Sequence, residues 1–151
     1  MTGRFQWIAI ALVLAVLASR YSPTGAQAFG GRALQEVAIE DQCIVVGFSF
    51  PVQYVRHFPA DTGDEIRIRV RPRLIGQSGS DALFGRETAR PPKRHRVHLS
   101  DVVFEGDGAG GPHLLVRFDQ TVNFRVSVGS DFRSIVVFVG EKGADAKCFP
   151  K

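Results

Sequence analysis

Apolar and polar residues alternate with a period of two along most of the chain after residue 42. In "CIVVGFSF" (43–50), Ile44, Val46, Phe48 and Phe50 share one face. "VQYVRHF" (52–58) follows Pro51, which cannot donate to a strand ladder. "EIRIRVRP" (65–72), "RVHLSDVVFE" (96–105), "PHLLVRFDQ" (112–120), "VNFRVSV" (122–128) and "RSIVVFVG" (133–140) repeat the pattern. Successive side chains of a strand point to opposite faces, so these segments predict half-buried strands. "PADTGDE", "GDGAGGP" and "VGSD" supply the turns between them. "GRALQEVAIED" (31–41) reads as a short helix or an edge strand. Residues 74–95, rich in Gly, Ser and Pro, read as a long loop with a helical turn at "SDALFGRE". The class is all-β, and the expected architecture is an antiparallel β-sandwich of two similar small sheets.

Two stretches of the chain follow one plan. Laying residues 44–70 over 114–139 matches Val46, Phe48, Val52, Tyr54 and Asp61 to Val116, Phe118, Val122, Phe124 and Asp131. One deletion then brings Ile66, Ile68 and Val70 onto Ile135, Val137 and Val139. Each unit reads as strand, corner, strand, turn, strand. The expectation is an internal pseudo-repeat whose two apolar faces bury each other. A chance likeness of two three-strand meanders is the alternative.

The start of the chain has a different texture. Arg4 is followed by the apolar run Trp7 to Ala18, and Ala26-Gln27-Ala28 has the small-x-small form of a cleavage site. The run holds 12 residues, whereas spanning a bilayer takes about 20. Residues 1–28 are therefore expected to be a secretory signal peptide, cleaved after Ala28, and the protein to be periplasmic. No cysteine directly follows the run and no Arg-Arg pair precedes it, which argues for the general export route. Cleavage would remove Arg4 and Arg20, lowering the net charge from +4 to +2. Residues 29–42 read as a lead-in and 43–148 as one domain. Two cysteines in an exported chain predict a Cys43–Cys148 disulfide. Closing a loop of this length is worth about 4 to 5 kcal/mol on the chain-entropy model.

The segment "VRFDQTVNFRVSVGSDFRSIVVFV" resembles an AMIN domain: an apolar strand ending in Phe-Asp, a corner, a strand with Val-x-Phe, a turn, and an apolar strand. "FSFPVQYVRHFPADTGDEIRIRV" fits the same pattern through Phe-x-x-Pro-Val-x-Tyr. The likeness covers most of residues 43–139 and rests on apolar patterning. It implies a periplasmic β-sandwich that binds peptidoglycan or places envelope machinery on the wall. Such domains usually precede an effector, and none follows in this sequence.

Catalytic signatures are sparse. Gly106, Gly108 and Gly111 satisfy G-x-G-x-x-G, but Pro112 and an alternating strand pattern follow where a phosphate-cradling helix would start. A hairpin loop accounts for them. His57, His95, His98 and His113 lack zinc-site spacing, and neither G-x-S-x-G nor S-x-x-K occurs. Asp61, Asp64 and Glu65 cluster in a turn. Asp101, Glu105, Asp107 and Asp119 lack calcium-loop spacing. No enzyme activity, cofactor or metal is expected.

The arginines are the sharper candidates. On a strand, Ile66, Ile68 and Val70 point inward, while Arg67, Arg69 and Arg71 point outward together. A solvated face, paired across strands with acids, is the plain reading. The functional reading adds "ARPPKRHR" (89–96), with Arg90, Lys93, Arg94 and Arg96. If loop and ladder meet, they form a cationic patch suited to carboxylates or phosphates. An exported protein calls for peptidoglycan, another anionic envelope polymer or lipid phosphate as partner. Nucleic acid is excluded by location and by the lack of interleaved aromatics. Arg67, Arg69, Arg71, Arg94 and Arg96 are the expected contacts. The expected function is a non-catalytic envelope-binding or targeting module. The alternatives are an adaptor that receives a partner strand at a sheet edge, and, third, an envelope hydrolase.

Overall fold

The computed structural model describes residues 31–73, 83–92, 95–141 and Cys148. The expected signal segment, Lys93, Arg94 and much of the loop at 74–95 lie outside the described residues. The domain is all-β: eight strands in one antiparallel sheet, with no helix among the described residues long and apolar enough to cross a membrane. The strands are β1 (Leu34–Glu40), β2 (Cys43–Phe48), β3 (Val52–Phe58), β4 (Thr62–Pro72), β5 (Arg86–Ala89), β6 (Leu99–Glu105), β7 (His113–Val128) and β8 (Ser134–Val139).

β7 organises the sheet. The sequence predicts two strands at 112–120 and 122–128, whereas the chain runs through both as one strand of 16 residues. Asp119, Gln120 and Thr121 are exposed in the middle of it, which interrupts the apolar alternation without interrupting the backbone. Its first half pairs with β4 and β6, and its second half with β8 and, at Val122 and Asn123, with the start of β4. The ladder β1-β2-β8 thus joins the ladder β3-β4 and the branch β5-β6 through a single strand.

The two segments that follow one plan are paired reciprocally. Val46 lies opposite Ile135, and Val116 opposite Ile66. Ile44 lies opposite Val137, and Leu114 opposite Ile68. Within each segment, Tyr54 faces Val70 and Phe124 faces Val139. The first strand of each unit is therefore bonded to the last strand of the other.

Inward residues of both ladders form one core. Phe48, Ile44, Ile66, Ile68, Phe104, Leu114 and Ile135 are fully buried. Phe48 of β2 meets Phe104 of β6 edge-on, with ring centroids 5.8 Å apart. Each such side chain contributes about 2 to 3 kcal/mol through burial. Cys43 and Cys148 form a disulfide with Cα atoms 5.5 Å apart.

The structure decides one alternative that the sequence left open and departs from the expectation for the 74–95 loop. Residues 34–40 form an edge strand, which settles the helix-or-strand alternative at 31–41. The 74–95 loop contains β5, whose "RETA" carries no apolar alternation to reveal it. β5 forms because its neighbour β6 offers an open ladder, and because Glu87 accepts hydrogen bonds from the Ala33 and Leu34 N–H groups at 2.5 and 3.0 Å. Backbone donors at the start of β1 are thereby satisfied.

Candidate anion-binding site

The outward face of β3, β4, β7, β6 and β5 is a lattice fixed by register. One row across it reads Arg56, Arg69, His113, Glu105, Arg86. The next reads Phe58, Arg67, Leu115, Val103, Thr88. A third reads Glu65, Arg117, Asp101. Although Leu115 and Val103 point away from the core, only 5% and 1% of their surface is exposed. Long charged side chains can cover such a strip with their stems while the heads stay in water.

Charge is balanced at one end of this lattice only. Arg117 Nε donates to Glu65 Oε2 at 2.9 Å, and Arg117 Nη1 lies 3.6 Å from Asp101 Oδ1. The Glu65 hydrogen bond, with Asp101 nearby, holds the Arg117 pKa above the ordinary arginine value. Arg67 and Arg86 share Glu105 at 3.6 and 3.7 Å. The ladder thus divides. Arg67 has the cross-strand acid expected of a solvated face. Arg69, Arg71 and Arg56 have no ion pair among the described residues.

Arg56 and Arg69 stand directly opposite one another on neighbouring strands. Like charges so placed destabilise a sheet. They line an open cavity of about 370 Å³ with His57, Phe58, Arg67 and His113. None of these described lining residues is a carboxylate. His113 is 9% exposed. Burial, then the Arg67 charge, lowers its pKa below the usual 6.5, with the Gly111 backbone opposing. The imidazole is therefore neutral at neutral pH. His57 is held in place: Nε2 donates to the Ala60 carbonyl at 2.8 Å, so Nδ1 accepts from the Tyr54 hydroxyl at 2.6 Å. Phe58, at 79% exposure, is an aromatic wall open to solvent.

The glycine-rich segment 106–112 connects β6 to β7, and a strand follows it rather than a helix. Gly111 (φ 101°) lies against Arg69: a Cβ there would stand 3.7 Å from Arg69 Nη2. Asp101 and Glu105, among the acids considered for calcium, are occupied by arginines.

The expected contact residues are not all brought together. Arg67 and Arg69 line the cavity, while Arg71 stands beside it on β4, opposite Gln53. Arg94 lies outside the described residues. Arg96 lines a different cavity, of about 510 Å³, with Gln120, Thr121 and Asn123. His113 and Gln120 are seven residues apart on β7, roughly 23 Å at 3.3 Å per residue. Loop and ladder therefore do not form one patch through Arg96. Arg56, Phe58 and His113 take its place. The signal for Arg56 and Phe58 in the sequence is the hairpin turn "PADTGDE", which folds 56–58 back onto 67–69, while His113 arrives through the β4–β7 pairing, which no local pattern marks. A bulge between Tyr54 and Arg56 shifts that register by one residue.

No protein-family model matches the chain, and no match was found among curated proteins or solved structures.

Proposed function

We propose that this chain is an exported, non-catalytic module of the cell envelope that holds peptidoglycan or another anionic envelope polymer on the outward face of β3 and β4. The carrying observation is Arg56 opposite Arg69 with no counter-ion among the described residues. A sheet keeps such a pair at a cost in stability, and a bound anion offsets that cost. Periplasmic placement is supported by the signal-like start of the chain and by the disulfide. The AMIN resemblance points the same way. In this reading the domain is a pseudo-symmetric β-sandwich, supported by the reciprocal register of β2 with β8 and β7 with β4.

The adaptor reading requires an edge open to a partner strand. β1 is bulged between Leu34 and Glu36, β3 is bulged and carries Arg56, and β5 has four residues. These features guard edges against pairing, which favours the polymer-binding reading. The test is co-sedimentation of the protein with isolated peptidoglycan sacculi across a salt series. Pelleting at low salt that weakens as salt rises, and is lost in an Arg56→Gln/Arg69→Gln variant, is expected. Protein that stays in the supernatant at low salt overturns the reading.

A further inference from the structure

We propose that the cavity beside Arg69 is a site for a phosphate monoester whose ester group carries a ring, such as a phosphorylated sugar, rather than for a carboxylate. The inference rests on the anion-binding reading of the same face and names the chemistry of the anion.

The balance of charge carries it. A carboxylate is planar and monovalent, so one guanidinium, paired through two parallel hydrogen bonds, balances its charge. Here two guanidiniums without acid partners, Arg56 and Arg69, face each other across one strand gap. Adjacent strands are about 4.8 Å apart, so both heads reach one group between them. His113 is next in the row, on the far side of Arg69. Its Nδ1 is buried against the 106–112 turn, 3.5 Å from where a Gly108 Cβ would stand, which leaves Nε2 to reach a ligand. Being neutral, the imidazole adds no further charge to the cavity. Two cations without acid partners exceed the single charge of a carboxylate. A phosphate monoester has three free oxygens and a charge of about −1.5 to −2 at pH 7. It matches the charge of the two arginines.

The ester group is fixed by Phe58. Its exposed ring lies opposite Arg67, one row from the Arg56–Arg69 pair. A bare inorganic anion gains nothing from that wall. A ring attached to the phosphoryl oxygen lies over it and removes apolar surface from water. A volume of about 370 Å³ holds a group of one ring and one phosphate, at the small end of ligand cavities.

The experiment is calorimetric titration of the full chain at pH 7.5 with phenyl phosphate, benzoate and inorganic phosphate. Phenyl phosphate is expected to bind about tenfold more tightly than benzoate, because its second negative charge pairs with the second arginine. It is also expected to bind several-fold more tightly than inorganic phosphate, an advantage that Phe58→Ala removes. Arg56→Gln and Arg69→Gln should each weaken phenyl phosphate by about tenfold or more. A folded Arg56→Gln chain serves if Arg69→Gln fails to fold. Benzoate binding as tightly as phenyl phosphate overturns the inference, as does phenyl phosphate affinity unchanged by either arginine substitution. Vesicles of phosphatidate in phosphatidylcholine form a second arm. Binding to them without binding to phenyl phosphate makes the source a lipid surface and also overturns it. Failure can be told apart from failure of the envelope reading. Sacculus binding with no phenyl phosphate preference sinks the phosphoryl assignment alone. Phenyl phosphate binding without sacculus binding sinks the envelope reading alone.

Discussion

The two ends of the outward face of β4 use the same kinds of residue to opposite effect. At Glu65, arginine is flanked by acid on both sides: Arg117 sits between Glu65 and Asp101. At Arg69, arginine is flanked by cation and imidazole: Arg56 on one side and His113 on the other. The first arrangement is what a solvated sheet face needs, since opposite charges across strands stabilise it. The second works against the fold. Four or so residues along one strand, about 13 Å, separate a face whose charges are paired from one whose charges are not. Charge count alone would not distinguish them; only cross-strand register does.

The largest expected effect tests whether both ends rest on one body. Replacing Cys43 and Cys148 with serine opens a 105-residue loop and should lower stability by about 4 to 5 kcal/mol, read from the urea midpoint. Cys43 begins β2, which pairs with β1 and β8 and not with the arginine-bearing strands. Below the new melting transition, phenyl phosphate affinity should therefore be unchanged. A loss of affinity in the still-folded variant would show that the anion end depends on the far ladder.

Next in size is the contrast between two arginines. Arg117→Ala removes the partner of Glu65 and of Asp101, whose Oδ1 is buried. Solvent screening of the half-exposed pair keeps the cost near 1 kcal/mol. Arg56→Glu does the reverse: it places an acid opposite Arg69 and should stabilise the domain by about 0.5 kcal/mol while abolishing phenyl phosphate binding. Equal destabilisation by both changes, in parallel urea titrations, would mean that Arg56 is as structural as Arg117 and would remove the contrast.

This contrast also marks how far the sequence could be read. The all-β class followed from period-two alternation, because Ile66, Ile68 and Val70 have to face a core that Arg67, Arg69 and Arg71 cannot enter. The disulfide followed from counting two cysteines. β5 was hidden because "RETA" pairs through its backbone and through Glu87, leaving no apolar signature. The continuity of β7 was hidden because exposed Asp119, Gln120 and Thr121 look like a corner. Arg69 was legible as a candidate. Its true neighbours, Arg56 and His113, were not, since the bulge after Tyr54 sets one register and His113 lies 44 positions beyond Arg69 in the chain. Which arginines are neutralised is a tertiary property: Arg67 finds its acid on β6, two strands away.

The smallest effect is the most specific. His113 binds a proton less readily in the folded chain than in the unfolded one, because burial and then Arg67 disfavour its charged form. Arg69 on β4 adds to this, while Glu105 on β6 opposes it. A folded pKa below 6.5 means that the unfolded state takes up the proton first. The stability contributed by a neutral His113 is therefore complete above about 6.5 and is withdrawn as the pH falls from there to the lowered folded value. The melting temperature should drop over this window, and His113→Asn should flatten the drop. Saturating phenyl phosphate should flatten it as well. A phosphoryl group beside the ring offsets the two arginines and raises the His113 pKa toward its unfolded value. Proton NMR of the His113 ring resonances reads that change directly. A ring that titrates at the same pH with and without phenyl phosphate would place the ligand elsewhere, and the row of Arg56, Arg69 and His113 would then be a cost of the fold with no compensating ligand there.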